Sequence, residues 1–154
     1  AADIPDLGLG ADVIVGHPGE TPEDFQATLD LVRELPLSYL HVFSYSDRRG
    51  TEATRLPARV PPGTVAERSR VMRAAGRDKS LAFRRRLVGR EHTALVLEAR
   101  ARVTGLAVAL TGHYVEVQVE APDGLARRFV DVTVTEAGPE RTLGRLAARQ
   151  AVPA

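Results

Sequence analysis

Cysteine is absent from these 154 residues. That excludes disulfides, a thiolate nucleophile, and any cysteine-ligated metal or iron–sulfur site built by this chain. Histidine is sparse: His17, His41, His92 and His113 are scattered, and none has a second histidine at metal-ligand spacing. No metal site is therefore expected. No apolar run approaches a membrane span and no charged-then-apolar leader opens the chain, so a cytoplasmic protein without a membrane partner is expected. The chain opens at Ala1 rather than Met, which reads as a partial or processed chain. Lysine is nearly missing as well. Lys79 is the only one, and the other twenty cations are arginine.

What is present is unevenly placed. Net charge is only +1, yet residues 1–47 hold nine acidic groups and one basic group, Arg33. Residues 48–100 hold fourteen basic and five acidic groups, and residues 101–154 hold six of each. The middle third is the candidate polyanion-binding region. The length suits one modest domain or two small ones.

The first organised stretch is Asp12 to Phe25. The β-branched run Val13, Ile14, Val15 stops at Gly16-His17-Pro18-Gly19, and a helix start follows at once. Thr21 suits the cap, Pro22 the first turn, and Asp24 the reciprocal capping position. Ligands of α/β proteins bind where such strands end, and Gly16 and Gly19 let the backbone turn sharply there. The same pattern also serves as a plain βα connection. The helix is expected over Thr21–Leu35, with Phe25, Leu29, Val32 and Leu35 on one face and Pro36 as its stop. A second strand, Ser38–Ser44, is nearly continuously apolar, as in a parallel strand buried on both faces. The unit reads as βαβ, and it lacks the elements needed to cover both faces of its sheet.

Residues 45–63 form a long loop, which points to function or mobility. Thr64 and Glu67 read as a capping box opening a helix to about Leu87, interrupted at Gly76. Arg70, Arg73, Arg77 and Arg84 share one face of it. Such a stripe is either a solvated face or a ridge against nucleic acid phosphates. From Val88 the texture becomes alternating. Strands are expected over Ala94–Ala99, Arg102–Leu110, around Val115–Val119, around Val130–Val134, and over Thr142–Leu146, with a turn at Pro122-Asp123-Gly124. Five short strands without a helix suggest a small β-barrel of the oligonucleotide-binding kind. The fold class is thus α/β followed by all-β.

Two separate motifs resemble one family. Asp12 to Phe25, then Tyr39 to Ser46 with Gly50-Thr51, is similar to the C-terminal part of the radical S-adenosylmethionine barrel of tRNA and ribosomal-protein methylthiotransferases. Leu110-Thr111-Gly112-His113-Tyr114-Val115 resembles the terminal TRAM barrel of the same enzymes. The resemblance covers nearly the whole chain. It implies part of a TIM-like radical SAM barrel over 1–63, a linking helix over 64–88, a TRAM domain over 89–147 and a tail over 148–154. The Tyr39-Leu40-His41-Val42-Phe43 wording leans towards the branch that acts on threonylcarbamoyladenosine at position 37 of tRNA. The departures are His17 for a usual Phe, Ser44, Asp47 and Arg49 for three prolines, and His113 for an Asn. Loss of the prolines implies a more mobile loop.

The family's chemistry uses S-adenosylmethionine and [4Fe-4S] clusters. The cluster cysteines are absent here, so the resemblance implies an inactive portion that works with an N-terminal part of the same enzyme. By the same resemblance Gly16, Pro18, Gly19, Glu20, Val42 and Phe43 would approach S-adenosylmethionine. Tyr45 and Ser46 would meet substrate. The tRNA anticodon stem-loop would meet Arg70, Arg73, Arg77 and Arg84, and in the barrel Arg90, Tyr114, Arg127 and Arg128, with Tyr114 stacking on a base. Local packing is the competing role for Val42, Phe43 and Tyr114, and helix initiation for Glu20. Three other readings stay open on the sequence: a stand-alone RNA-binding module without catalysis, a portion of a ribosomal-protein methylthiotransferase, and a truncated product without function.

Overall fold

The computed structural model describes residues 6–147, so the expected tail at 148–154 lies outside the described residues. In chain order it contains β1 (Gly10–Val15), α1 (Pro22–Glu34), β2 (Tyr39–Ser44), α2 (Pro62–Arg86), β3 (Glu91–Arg100), β4 (Ala107–Thr111), β5 (Glu116–Val119), β6 (Phe129–Ala137) and β7 (Thr142–Leu146). Short 3₁₀ turns lie at Glu52–Arg55 and Asp123–Leu125. Two compact units result. One is Leu9–Ser80; the other joins residues 6–8 with residues 81–147. The division falls within α2.

In the first unit β1 and β2 pair in parallel, from Gly10 opposite Tyr39 to Val15 opposite Ser44. The α1 start is the expected reciprocal box. Thr21 Oγ1 accepts the Asp24 N–H at 3.1 Å, and Asp24 Oδ2 accepts the Thr21 N–H at 3.0 Å. These bonds satisfy two donors that a helix N-terminus leaves open. At the other end Lys79 donates to the carbonyls of Arg33 and Leu35, which have no partner within the helix. The single lysine is thus a helix-end clamp. Val13, Val15, Leu40 and Val42 pack with Leu29 and Val32 of α1 and Met72 of α2.

Two expectations need correction here. The helix α2 begins at Pro62, not Thr64, and runs through Gly76 without a break. Proline at the first helical position loses no hydrogen bond, and Glu67 pairs with Arg70 instead of closing a capping box. The sheet is covered on one face only, as the makeup of the βαβ unit implies. Ile14 is 58% exposed and Phe43 51%, because α1 and α2 both lie against the opposite face.

In the second unit five strands close into a barrel in the order β3-β4-β5-β7-β6, with β6 returning to β3. Ala94, Val96, Ala109, Val117, Val130 and Val132 point inward, and Phe83 and Leu87 from the end of α2 join that core. The small valines and alanines fit a narrow barrel. Bulges between Val96 and Arg100 and between Val134 and Glu136 bend two strands into closure. β7 is squeezed between β5 and β6. A Cβ at Gly144 would stand 2.6 Å from Val117 Cγ1 and 2.8 Å from Thr133 O, so only glycine lets the strands approach. The expected strand over Arg102–Leu110 is shorter, beginning at Ala107. Ala101 N–H to Leu106 O and Gly105 N–H to Ala101 O close a turn over its first half.

Candidate functional site

At the carboxyl ends of β1 and β2 the uncovered face opens into a groove of about 470 Å³, whose lining includes Asp12, Ile14, His17, Phe43, Tyr45 and Arg48. Strand alternation places these groups. Val13 and Val15 turn to the core, so Asp12 and Ile14 turn away, and Phe43 stands beside Ile14 in register. The groove has an apolar wall, a carboxylate and a guanidinium. The carboxylate of Asp12 has no ion-pair partner among the described residues. Ser46 also lines the groove.

The Gly16–Glu20 loop is organised from within. Gly16 sits at φ +82°, its N–H donates to Glu20 Oε2 at 2.7 Å, and a Cβ there would meet Val65 Cγ2 at 2.5 Å. Glu20 Oε2 also takes the Arg68 guanidinium at 2.5 Å, and the Glu20 carbonyl accepts from the same nitrogen at 3.0 Å. The two side chains are 12% and 8% exposed. Glu20 is therefore the keystone of the turn, with its carboxylate spent on the loop and α2. Pro18 is buried, and its carbonyl faces His17 Nδ1 at 3.0 Å. Gly19, at φ +87°, is exposed, and a Cβ there would meet nothing. Gly16→Ala is accordingly expected to destabilise the unit more than Gly19→Ala. Both incur the left-handed cost of about 1–2 kcal/mol, and only Gly16 adds overpacking of about 1–3 kcal/mol. Urea denaturation of the two variants checks the order.

Tyr45 follows β2, its N–H donating to Val15 O at 2.8 Å. Its hydroxyl donates to Asp47 Oδ1 at 2.9 Å, and Arg59 donates to the same oxygen at 2.5 Å. Those hydrogen bonds, from Arg59 foremost and then Tyr45, hold the Asp47 carboxyl below the usual carboxylate range. The loop is also tied by Arg59 to Thr54 O and by Gly19 N–H to Ala58 O. Polar ties thus stand at the loop where mobility was expected.

Of the six expected cofactor contacts, Gly16, Pro18, Gly19 and Glu20 form the turn, Phe43 lines the groove, and Val42 lies on the covered face with the core. The arginine stripe is largely engaged. Arg70 pairs with Glu67, Arg73 donates to Val42 O at 3.2 Å, and Arg77 is exposed. Arg84 is half-buried and donates to Gly138 O, Thr142 Oγ1 and Pro139 O, which holds the β6–β7 connection. Burial, with Arg85 nearby, lowers its pKa.

On the barrel, Arg90 pairs with Asp6 at 2.5 Å and Arg127 with Glu98 at 2.9 Å, both solvent-accessible, while Arg128 is exposed without an ion pair among the described residues. Tyr114 is 78% exposed at φ +60°, and Arg127 also has a left-handed φ, +62°. Such values in bulky side chains are uncommon and concentrate at binding sites. The sequence reading passed over Phe129, which is 72% exposed. It stands opposite Leu95, which stands opposite Leu110, so the three form one outward apolar row across β6, β3 and β4. Its signal was present, since Phe129 has the opposite parity to the inward Val130, Val132 and Val134. Asp12, His17 and Arg68 were passed over too. Nothing local separates Arg68 from the exposed arginines that follow it.

No family model matches the chain. Among curated relatives, the tRNA-2-methylthio-N(6)-dimethylallyladenosine synthase of Zymomonas mobilis is 36% identical over 141 residues, 92% of this chain and 31% of that protein. The corresponding synthase of Acidothermus cellulolyticus is 37% identical over 139 residues, 88% of this chain and 28% of that protein. The threonylcarbamoyladenosine tRNA methylthiotransferase MtaB of Thermotoga maritima is 42% identical over 91 residues, 59% of this chain and 21% of that protein. The chain spans about three tenths of the length of the first two relatives. With 36–37% identity to these two synthases over 88–92% of its length, the chain belongs to the radical S-adenosylmethionine methylthiotransferase family.

Proposed function

We propose that this chain is the C-terminal portion of a tRNA methylthiotransferase, supplying one wall of the cofactor and substrate site and an RNA-binding barrel. The observation that carries the reading is the bare sheet face ending in the Ile14–Phe43 groove. Such a face is completed by further strands of a barrel, and the relatives have the length to supply them. The reaction is addition of a methylthio group to position 2 of a modified adenosine 37, N6-threonylcarbamoyladenosine, in the cytoplasm. S-adenosylmethionine and the [4Fe-4S] clusters supply the radical chemistry when bound. The groove fits the former, since Ile14 and Phe43 offer an apolar wall to a purine and Asp12 an acceptor for hydroxyl or amine donors. With no cysteine, this chain offers no thiolate to a cluster, so the ligands belong to an N-terminal part. Here the chain's residues bind, orient and exclude water.

The test is mass spectrometry of nucleosides from tRNA treated with the whole gene product, S-adenosylmethionine and reductant. The methylthio derivative of threonylcarbamoyladenosine is expected. A derivative of dimethylallyladenosine moves the reading to the other branch, and no methylthio nucleoside overturns it.

The barrel is proposed to take the anticodon stem-loop, with unpaired bases on the Phe129–Leu95–Leu110 row and Tyr114, and phosphates at Arg90, Arg127 and Arg128. Exposed aromatic and apolar groups give bases a stacking surface, and nearby arginines add a salt-dependent term. Phe129→Ala is expected to weaken binding of an anticodon stem-loop by about 1–3 kcal/mol, roughly 5- to 150-fold. Fluorescence anisotropy at several salt concentrations checks it; unchanged affinity removes Phe129 from the surface.

A further inference from the structure

Tyr45 lines two grooves at once. One is the Ile14–Phe43 groove; the other, of about 380 Å³, is bounded by Gly16, Val60, Pro62 and Val65. Tyr45 and its neighbour Ser44 border both, so Tyr45 stands at their boundary. Three contacts fix it. The His17 ring meets it edge-on with centroids 5.4 Å apart, Arg59 lies 5.9 Å over its face, and Asp47 accepts its hydroxyl. Arg59 and Asp47 are twelve residues apart in the chain and pair directly, so one ion pair ties two parts of the 45–63 loop and meets Tyr45 at its hydroxyl and over its face.

We propose that Asp47 and Arg59 are positioning residues for Tyr45, and that the ring so held decides how far a planar ligand reaches along the Ile14–Phe43 groove. The inference rests on the cofactor-and-substrate reading of that groove. A phenol on a short side chain has two free torsions. Without its acceptor and its stacked guanidinium it swings, and the two grooves merge. The pair is half-exposed, at 46% and 56%, so it acts by geometry more than by stability. Partial burial first, and Asp47 second, hold the Tyr45 hydroxyl above its ordinary pKa, as expected for a donor committed to a carboxylate.

The experiment uses the whole gene product, its Asp47→Ala, Arg59→Ala and Tyr45→Ala variants, and the Asp47→Ala/Tyr45→Ala double variant. Nuclear Overhauser contacts between the Tyr45 and His17 rings are expected in the wild type and lost in Asp47→Ala and Arg59→Ala, with circular dichroism unchanged. S-adenosylhomocysteine, titrated by NMR, is expected to bind about 3- to 10-fold more weakly to each single variant. Asp47→Ala is expected to add nothing in the Tyr45→Ala background. Ring contacts that survive in Asp47→Ala overturn the positioning role. Additive losses in the double variant overturn the route through Tyr45. Wild-type gene product that keeps its ring contacts and does not bind the probe overturns the ligand boundary together with the groove reading, and leaves the positioning result standing by itself.

Discussion

Arg68→Ala is expected to lower the stability of the Leu9–Ser80 unit by about 3–5 kcal/mol, the cost of leaving a buried carboxylate without its counter-charge. The guanidinium reaches Glu20 twice, through Oε2 at 2.5 Å and through the carbonyl at 3.0 Å, and its carbon lies 5.4 Å from the Phe25 ring centroid. Glu20 in turn holds the Gly16 N–H at 2.7 Å. Removing Arg68 therefore strips a charge partner, a donor to the Glu20 carbonyl and a packing surface together. Glu20→Ala is expected to fall in the same range, because it strands Arg68 and the Gly16 donor. A double variant that replaces both with methionine should be less damaged than either alanine variant, since no lone charge remains. Amide exchange at Val15 and Val32, followed in urea, reads the loss. Equal damage in the double variant would show that packing, not charge, holds the loop.

Leu87→Ala should destabilise the barrel by about 2–5 kcal/mol. Leu87 is 0% exposed and shares one core with Phe83, Val117, Val119 and Val132. A barrel of valines and alanines has little side-chain volume to move into the void, so the cavity persists. Thermal unfolding monitored by far-ultraviolet circular dichroism gives the shift. A loss below 1 kcal/mol would mean that the end of α2 is not part of the barrel core.

These two sites differ in how much of them the sequence reveals. The α1 cap is local, since Thr21 and Asp24 are three residues apart and their bonds form as soon as the helix does. The alternation of Val130, Val132 and Val134 announces an inward face, and it equally announces that Phe129 looks out. The Glu20–Arg68 pair spans 48 residues, and the Arg84 clamp on Gly138 spans 54. Helical spacing assigns Arg70, Arg73, Arg77 and Arg84 to one face, which suggested a common role. The fold gives them four different ones: an intrahelical pair, a backbone donor, an exposed group and a hairpin clamp.

The sequence alone determined what is decided by neighbours and by residue type. It settled the βαβ order, the five alternating strands, the capping box, and the absence of any thiolate for a cluster. Only the tertiary structure decided which face of the parallel sheet stays bare, that Glu20 serves the loop through Arg68, and that Asp47 and Arg59 pair beside Tyr45. The reason is physical. Periodicity and capping depend on contacts within a turn or two of helix or strand. The burial of a charge, or the partner of an arginine, depends on which distant segments the closed chain brings within hydrogen-bonding reach.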